Sequence, residues 1–165
     1  MIPLFLMLGG LFSTVALSAA YSLVKDAEAS VVRWAWAFSI VGALGAAIHG
    51  GYDLANAINP PAVVASLANL PSQIDPRGML TFGVSGLGFF GLAWLMGRSA
   101  RFPRTMSYLT YLLAALLVIL YLGRLVLLDP KNPVIAITGS LSGFIVNPLW
   151  YLWLGVMLWQ SRKEA

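Results

Sequence analysis

Cysteine is absent from this chain, and histidine occurs once, at position 49. With no thiol there is no disulfide framework, no thiolate metal site and no redox pair. Charge is almost as scarce. Asp, Glu, Lys and Arg make up 10% of the 165 residues, against about 25% in a soluble domain. Recognisable catalytic sets are missing too. There is no serine, histidine and aspartate set at a workable spacing, no paired carboxylates, no HExxH and no glycine-rich phosphate loop after a strand. An intramembrane enzyme is therefore the least supported function class. A metal centre is not expected, since His49 and Asp53 supply two donors where zinc takes three or four. Haem would need His49 as its axial ligand, with no second histidine to pair with it.

What fills the chain instead is apolar. Hydrophobic residues reach 59% and the mean hydropathy is +0.83. Several runs exceed the roughly 18 residues that read as a membrane span. These features predict an all-α, polytopic membrane helical bundle of five transmembrane helices in one integral membrane domain. Its first partner is the lipid bilayer. The formal charge of +4 does not imply nucleic acid, because the basic residues lie in short loops between spans.

The spans are placed at about 3–24, 31–58, 79–97, 105–128 and 134–159. The opening stretch has small residues near Ser18–Ala20 but lacks the basic n-region of a secretory signal, so it is expected to stay as the first span. Gly10, Thr14, Ser18 and Tyr21 form a small, polar stripe on it, suited to helix contact. Ser30 offers a cap for the second span, Trp34 and Trp36 sit at its start as interfacial anchors, and Asn59-Pro60-Pro61 ends it. The longest connection follows, and its middle, AVVASLANL, is expected to form a short amphipathic helix in the interface. Gly83, Gly86, Gly88 and Gly91 make the third span a candidate for close helix approach. In the fifth, Pro148 frees a carbonyl near Phe144 and kinks the helix. Ser140, Gly143, Asn147 and Tyr151 then face inward, while Trp150, Tyr151 and Trp153 sit too deep to be interfacial anchors.

Five spans put the two ends on opposite sides. One side collects Lys25, Arg33, Arg98, Arg101, Arg104, Arg162 and Lys163, and the other has Arg77, Arg124 and Lys131. Positive loops stay cytoplasmic, so the amino terminus is expected outside and the carboxyl terminus in the cytoplasm.

The candidate site grows from the stretch GALGAAIHGGYDLAN, Gly42 to Asn56. On a helix, Gly42, Gly45, His49, Tyr52, Asp53 and Asn56 share one face, which must look at other helices or at water. Arg124 lies at a similar depth in the fourth span, with Tyr121 one turn away on the same face. An Asp53–Arg124 pair across the bundle is the expectation, ringed by His49, Tyr52, Asn56 and Tyr121. Asn147 is a second polar point, in the fifth span. His49, whose charge changes near neutral pH, would be the titrating group.

The segment FGVSGLGFFGLAWLMGRSARFPRTMSYLTYLLAALLVILYL, Phe82 to Leu122, resembles a recurring pattern in uncharacterised bacterial multi-pass membrane proteins catalogued as a domain of unknown function. That pattern joins a glycine-rich span to a following span through a short basic Gly-Arg-Ser…Phe-Pro-Arg turn. The resemblance covers about a quarter of the chain. It implies a bacterial inner-membrane origin and transfers no site residues. The function expected is an outward-facing polar cavity that binds a small ligand, or an accessory subunit of a membrane complex. The alternative is a protomer of an oligomeric transporter or channel, because five helices without a repeat make an incomplete alternating-access machine. A homo-oligomer or a partner membrane protein is the association these readings leave open.

Overall fold

The structure, a computed structural model, describes residues 2–24, 28–60, 74–127 and 132–161. Its elements are α1 (Ile2–Ser22), α2 (Ala29–Ile58), α3 (Met79–Arg98), α4 (Arg104–Val126) and α5 (Pro133–Ser161). Among the described residues there is no strand. A bilayer offers no water to unpaired backbone groups, so a long apolar segment satisfies them within itself, as a helix. All five helices are long and apolar enough to cross a membrane, the architecture of a multi-pass integral membrane protein. Ser30 does not cap α2. The helix begins at Ala29, after Glu28, whose side chain makes no cap hydrogen bond. The amphipathic helix expected over AVVASLANL lies outside the described residues, as do residues 128–131 and the tail beyond Ser161.

α3 is the central helix. In its most apolar stretch 61% of residues are buried, against 11–33% in the other four spans. The glycines explain how neighbours come so close. Gly42 of α2 abuts Ser85 and Gly88 of α3 abuts Ser39, while Gly83 and Gly86 seat Tyr121 and Val118 of α4. α1 and α2 meet the same way. A Cβ on Gly10 would stand 2.5 Å from the Ala47 amide nitrogen, and one on Gly50 would strike the Met7 backbone. With lipid tails as apolar as leucine, such contact is what drives helix association. The expected stripe on α1 is half realised. Gly10 and Tyr21 are buried, and the Tyr21 hydroxyl lies 3.3 Å from Ser39 Oγ and 3.4 Å from the Gly88 carbonyl. Thr14 and Ser18 instead donate to carbonyls of their own helix.

α5 is fastened by Trp150. Its side chain is fully buried, its indole N–H donates to Thr110 Oγ1 of α4 at 2.7 Å, and its ring meets Phe89 and Tyr151 edge-on. Buried indoles usually find such a partner. Outward, large apolar side chains such as Phe12, Ile48, Leu87, Ile119 and Phe144 stay exposed on all five helices. In water such a surface would aggregate; in a bilayer it is the solvated surface.

Two segments leave the regular ladder. Met79–Val84 in α3 and Leu141–Val146 in α5 are π-helical. The Gly83 N–H donates to the Gly78 carbonyl, and the Asn147 N–H to the Ser142 carbonyl, each five residues back. Such widened turns are rare and gather at functional sites.

Candidate functional site

Consecutive spans run antiparallel, so the end of α2, the start of α3 and the end of α4 meet at one end of the bundle. Six of the seven candidate residues lie there. His49 is buried at 8% exposure, and its Nε2 sits 3.1 Å from Asp53 Oδ2, one turn along α2. Spacing of i, i+4 puts the two side chains on one face. Asp53 is about a third exposed and so carries this pair towards the surface. His49 Nδ1 is buried without a hydrogen-bond partner among the described residues. Tyr52 and Asn56 are half-buried on the same last turns of α2.

Arg124 takes other company. Its guanidinium lies 5.3 Å above the Phe82 ring, and the carboxylate whose charge reaches it is Asp75. Tyr121, one turn earlier, fills the space against Gly83. No ion pair joins Asp53 to Arg124; Asp53 pairs with His49 on its own helix, and the Arg124 guanidinium lies over Phe82. Two double-mutant cycles read this difference. Asp53→Asn with His49→Gln is expected to couple by about 0.5–1 kcal/mol, and Asp53→Asn with Arg124→Gln to add within about 0.5 kcal/mol. Unfolding by SDS titration in micelles measures both; the reverse pattern would restore the cross-bundle pair.

Asp75 is the residue that sequence reasoning missed. It is buried, and its carboxylate accepts from Met79 N at 2.7 Å, Leu80 N at 3.1 Å, and Thr81 N and Oγ1 at 3.0 Å each. These are the otherwise unpaired donors of the first turn of α3. Asp75-Pro76-Arg77-Gly78 is a turn closed by the Gly78 N–H on the Asp75 carbonyl at 2.9 Å. Gly78 has φ +74°, a left-handed conformation that glycine adopts without strain. Within the same turn Arg77 donates to the Leu125 carbonyl and so caps α4. The signal was an Asp-Pro-X-Gly turn directly before an apolar run, readable as a helix start.

The bundle's large cavity, about 750 Å³, is elsewhere. It lies deeper, among all five spans, with Ser13, Ser39, Thr81, Ser85, Ser142, Asn147 and Tyr151 as its polar wall. Among the described residues no charged side chain lines it. Asn147 is thus the one candidate residue on its wall; His49, Tyr52, Asp53, Asn56, Tyr121 and Arg124 are not on it. Phe82 stands between the two regions, one side towards Arg124 and the other on the cavity.

Both π-helical segments contribute to the wall, through Thr81 and Phe82 of α3 and Ser142, Gly143 and Phe144 of α5. Pro148, also on it, has no N–H, so a carbonyl one turn before it loses its donor beside the cavity. Phe5 and Phe12 of α1 and Phe144 of α5 line the cavity while remaining 63%, 70% and 82% exposed. Gly9 and Gly143, on the same two helices, have nothing within 4 Å of where a Cβ would stand. The cavity therefore opens sideways between α1 and α5, onto the surface that faces lipid.

Comparison with family models, with curated proteins and with solved structures finds no match to this chain. Residue roles rest on its own geometry.

Proposed function

We propose that this chain is a small-ligand-binding membrane protein, and that its ligand is an uncharged amphiphile taken laterally from the bilayer. The observation that carries this reading is the side-opening cavity of about 750 Å³ with an uncharged wall. That volume falls in the range of about 300–1,000 Å³ typical of small-molecule sites. An apolar chain would lie against Phe82, Phe89 and Phe144. A neutral hydroxyl or carbonyl head would be held by Ser142 and Asn147, and a hydroxyl also by the carbonyl of α5 that Pro148 frees. A charged head is disfavoured, since nothing on the wall offers a counter-charge.

Photo-crosslinking tests the reading, with a diazirine-bearing monoacylglycerol as probe and a diazirine fatty acid as its charged counterpart. The neutral probe is expected to label peptides of α1 and α5, and Gly143→Trp to reduce that labelling by about tenfold, the equivalent of about 1.4 kcal/mol. Equal labelling of both proteins by both probes would overturn it.

The glycines also favour a second reading, as an accessory subunit or the protomer of an oligomeric transporter. A cleft edged by Gly9 and Gly143 is what a helix of another chain needs for close approach. Protein–protein crosslinks at Gly143-flanking residues, in place of lipid adducts, identify that case. A bacterial inner-membrane location, with the amino terminus outside, completes the proposal. The orientation is supported by the seven-to-three division of basic residues, and reporter fusions at the two ends read it directly.

A further inference from the structure

The opposite end of the bundle, where α3 turns into α4, carries a second and smaller pocket of about 300 Å³. Trp94, Arg98, Arg104, Ser107, Tyr108 and Tyr111 line it together with Gly97. The turn between the helices, Ser99–Pro103, is held by buried Phe102 and by the Ser99 hydroxyl, which accepts from the Arg101 N–H at 3.2 Å. Arg98 is thereby placed in the last turn of α3 and Arg104 at the first residue of α4. The two arginines line one pocket although they stand six positions apart in the chain.

Arg98 does not swing freely. Its guanidinium lies 4.0 Å above the centroid of the Trp94 ring, a contact that fixes its plane and leaves its N–H edges available. Among the described residues neither Arg98 nor Arg104 forms an ion pair. Two arginines without an acidic partner among the described residues, one of them held over a tryptophan ring, with two tyrosines on the same wall, suit a tetrahedral oxyanion. The location decides its source. The pocket lies where two spans end, the level at which phospholipid phosphates sit, and Trp94, Tyr108 and Tyr111 are the aromatic types of that interface.

We propose that this pocket binds the phosphate of an anionic phospholipid headgroup, with Arg98 and Arg104 as its two cationic donors and the tyrosine hydroxyls beside them. The site is independent of the cavity between α1 and α5. It differs from a diffuse basic surface because Arg101, in the same turn, lies outside it. Free inorganic phosphate shares the recognising chemistry, and the test separates the two sources.

The experiment is native mass spectrometry of the full chain in gentle detergent, titrated with phosphatidylglycerol and, separately, with phosphatidylcholine. Phosphatidylglycerol is expected to stay bound in preference to phosphatidylcholine. The Arg98→Gln/Arg104→Gln double variant should lower its retention on the order of tenfold, as loss of two charge-assisted contacts implies. The charge-matched control, Arg33→Gln/Arg101→Gln, should bind as the unaltered chain does. A melting curve confirms that each variant is folded. If the glutamine pair is not, Arg98→Lys/Arg104→Lys takes its place, keeping charge but losing the planar fork, and should give a smaller loss. Equal weakening by the pocket pair and the control pair would overturn the proposal, as would equal retention of the two lipids. Thermal protection by inorganic phosphate without protection by phosphatidylglycerol would overturn the lipid assignment.

Discussion

Asp75→Ala is expected to destabilise the protein by about 3 kcal/mol. An ordinary helix cap is worth about 0.5–2 kcal/mol. Here one carboxylate accepts from three backbone amides and a hydroxyl. Each buried donor left without a partner costs about 1–3 kcal/mol, less whatever water recovers at the helix end. The turn that Asp75 opens also ties α3 to α4 through Arg77 and Leu125, so the loss spreads to a second helix. Asp75→Asn keeps one acceptor oxygen and gives up the charge, and about half the loss is expected. SDS-titration unfolding of both variants checks this. An alanine variant within about 0.5 kcal/mol of the unaltered protein would show that α3 does not need its cap.

Trp150→Ala should cost a similar amount, about 3 kcal/mol, through a different term. Truncating a buried aromatic forfeits its contacts and leaves a cavity, typically about 3–5 kcal/mol in soluble cores. The lower end applies here, because helix packing in lipid gains little from burial itself. Trp150→Phe separates the two parts of the interaction. It keeps a ring against Phe89 and Tyr151 and removes the N–H that reaches Thr110. The Thr110 hydroxyl still donates to the Met106 carbonyl at 2.7 Å, so the phenylalanine change should cost only about 1 kcal/mol. Equal losses for both variants would mean that the hydrogen bond, not the packing, holds α5 in place.

Most of the fold was readable from residues alone. The spans expected at 31–58 and 79–97 are Ala29–Ile58 and Met79–Arg98, because hydropathy sets a span's middle and Asn59-Pro60 and Gly78 set its edges. The glycines of α3 are close-approach residues as expected. The site was harder to read. His49 and Asp53 do share a face, but the sequence offers Asp53 two partners, and no sequence rule ranks a neighbour on its own helix against a cation across the bundle. Asp75, the carboxylate whose charge reaches Arg124, stands in a turn outside the hydropathy pattern. The cavity was the least visible. Its walls depend on two π-helical turns, which break the three-and-four spacing from which faces are read. The stripe Ser140, Gly143, Asn147 and Tyr151 shows the consequence. Gly143, Asn147 and Tyr151 reach the wall, and Ser140 gives way to Gly139 and Ser142.

The glycine contacts also govern which parts of the molecule can breathe. With backbone against backbone at Gly10 and Gly50, and small residues interlocked at Gly42 and Gly88, α1, α2 and α3 have no slack in which to slide and must shift as one piece. α5 has no such glycine seam with α1; it meets α1 through the Tyr151 and Ser13 side chains and is bolted to α4 by the Trp150 indole. Any widening of the mouth that a bulky guest demands therefore falls to a swing of α5 about that bolt.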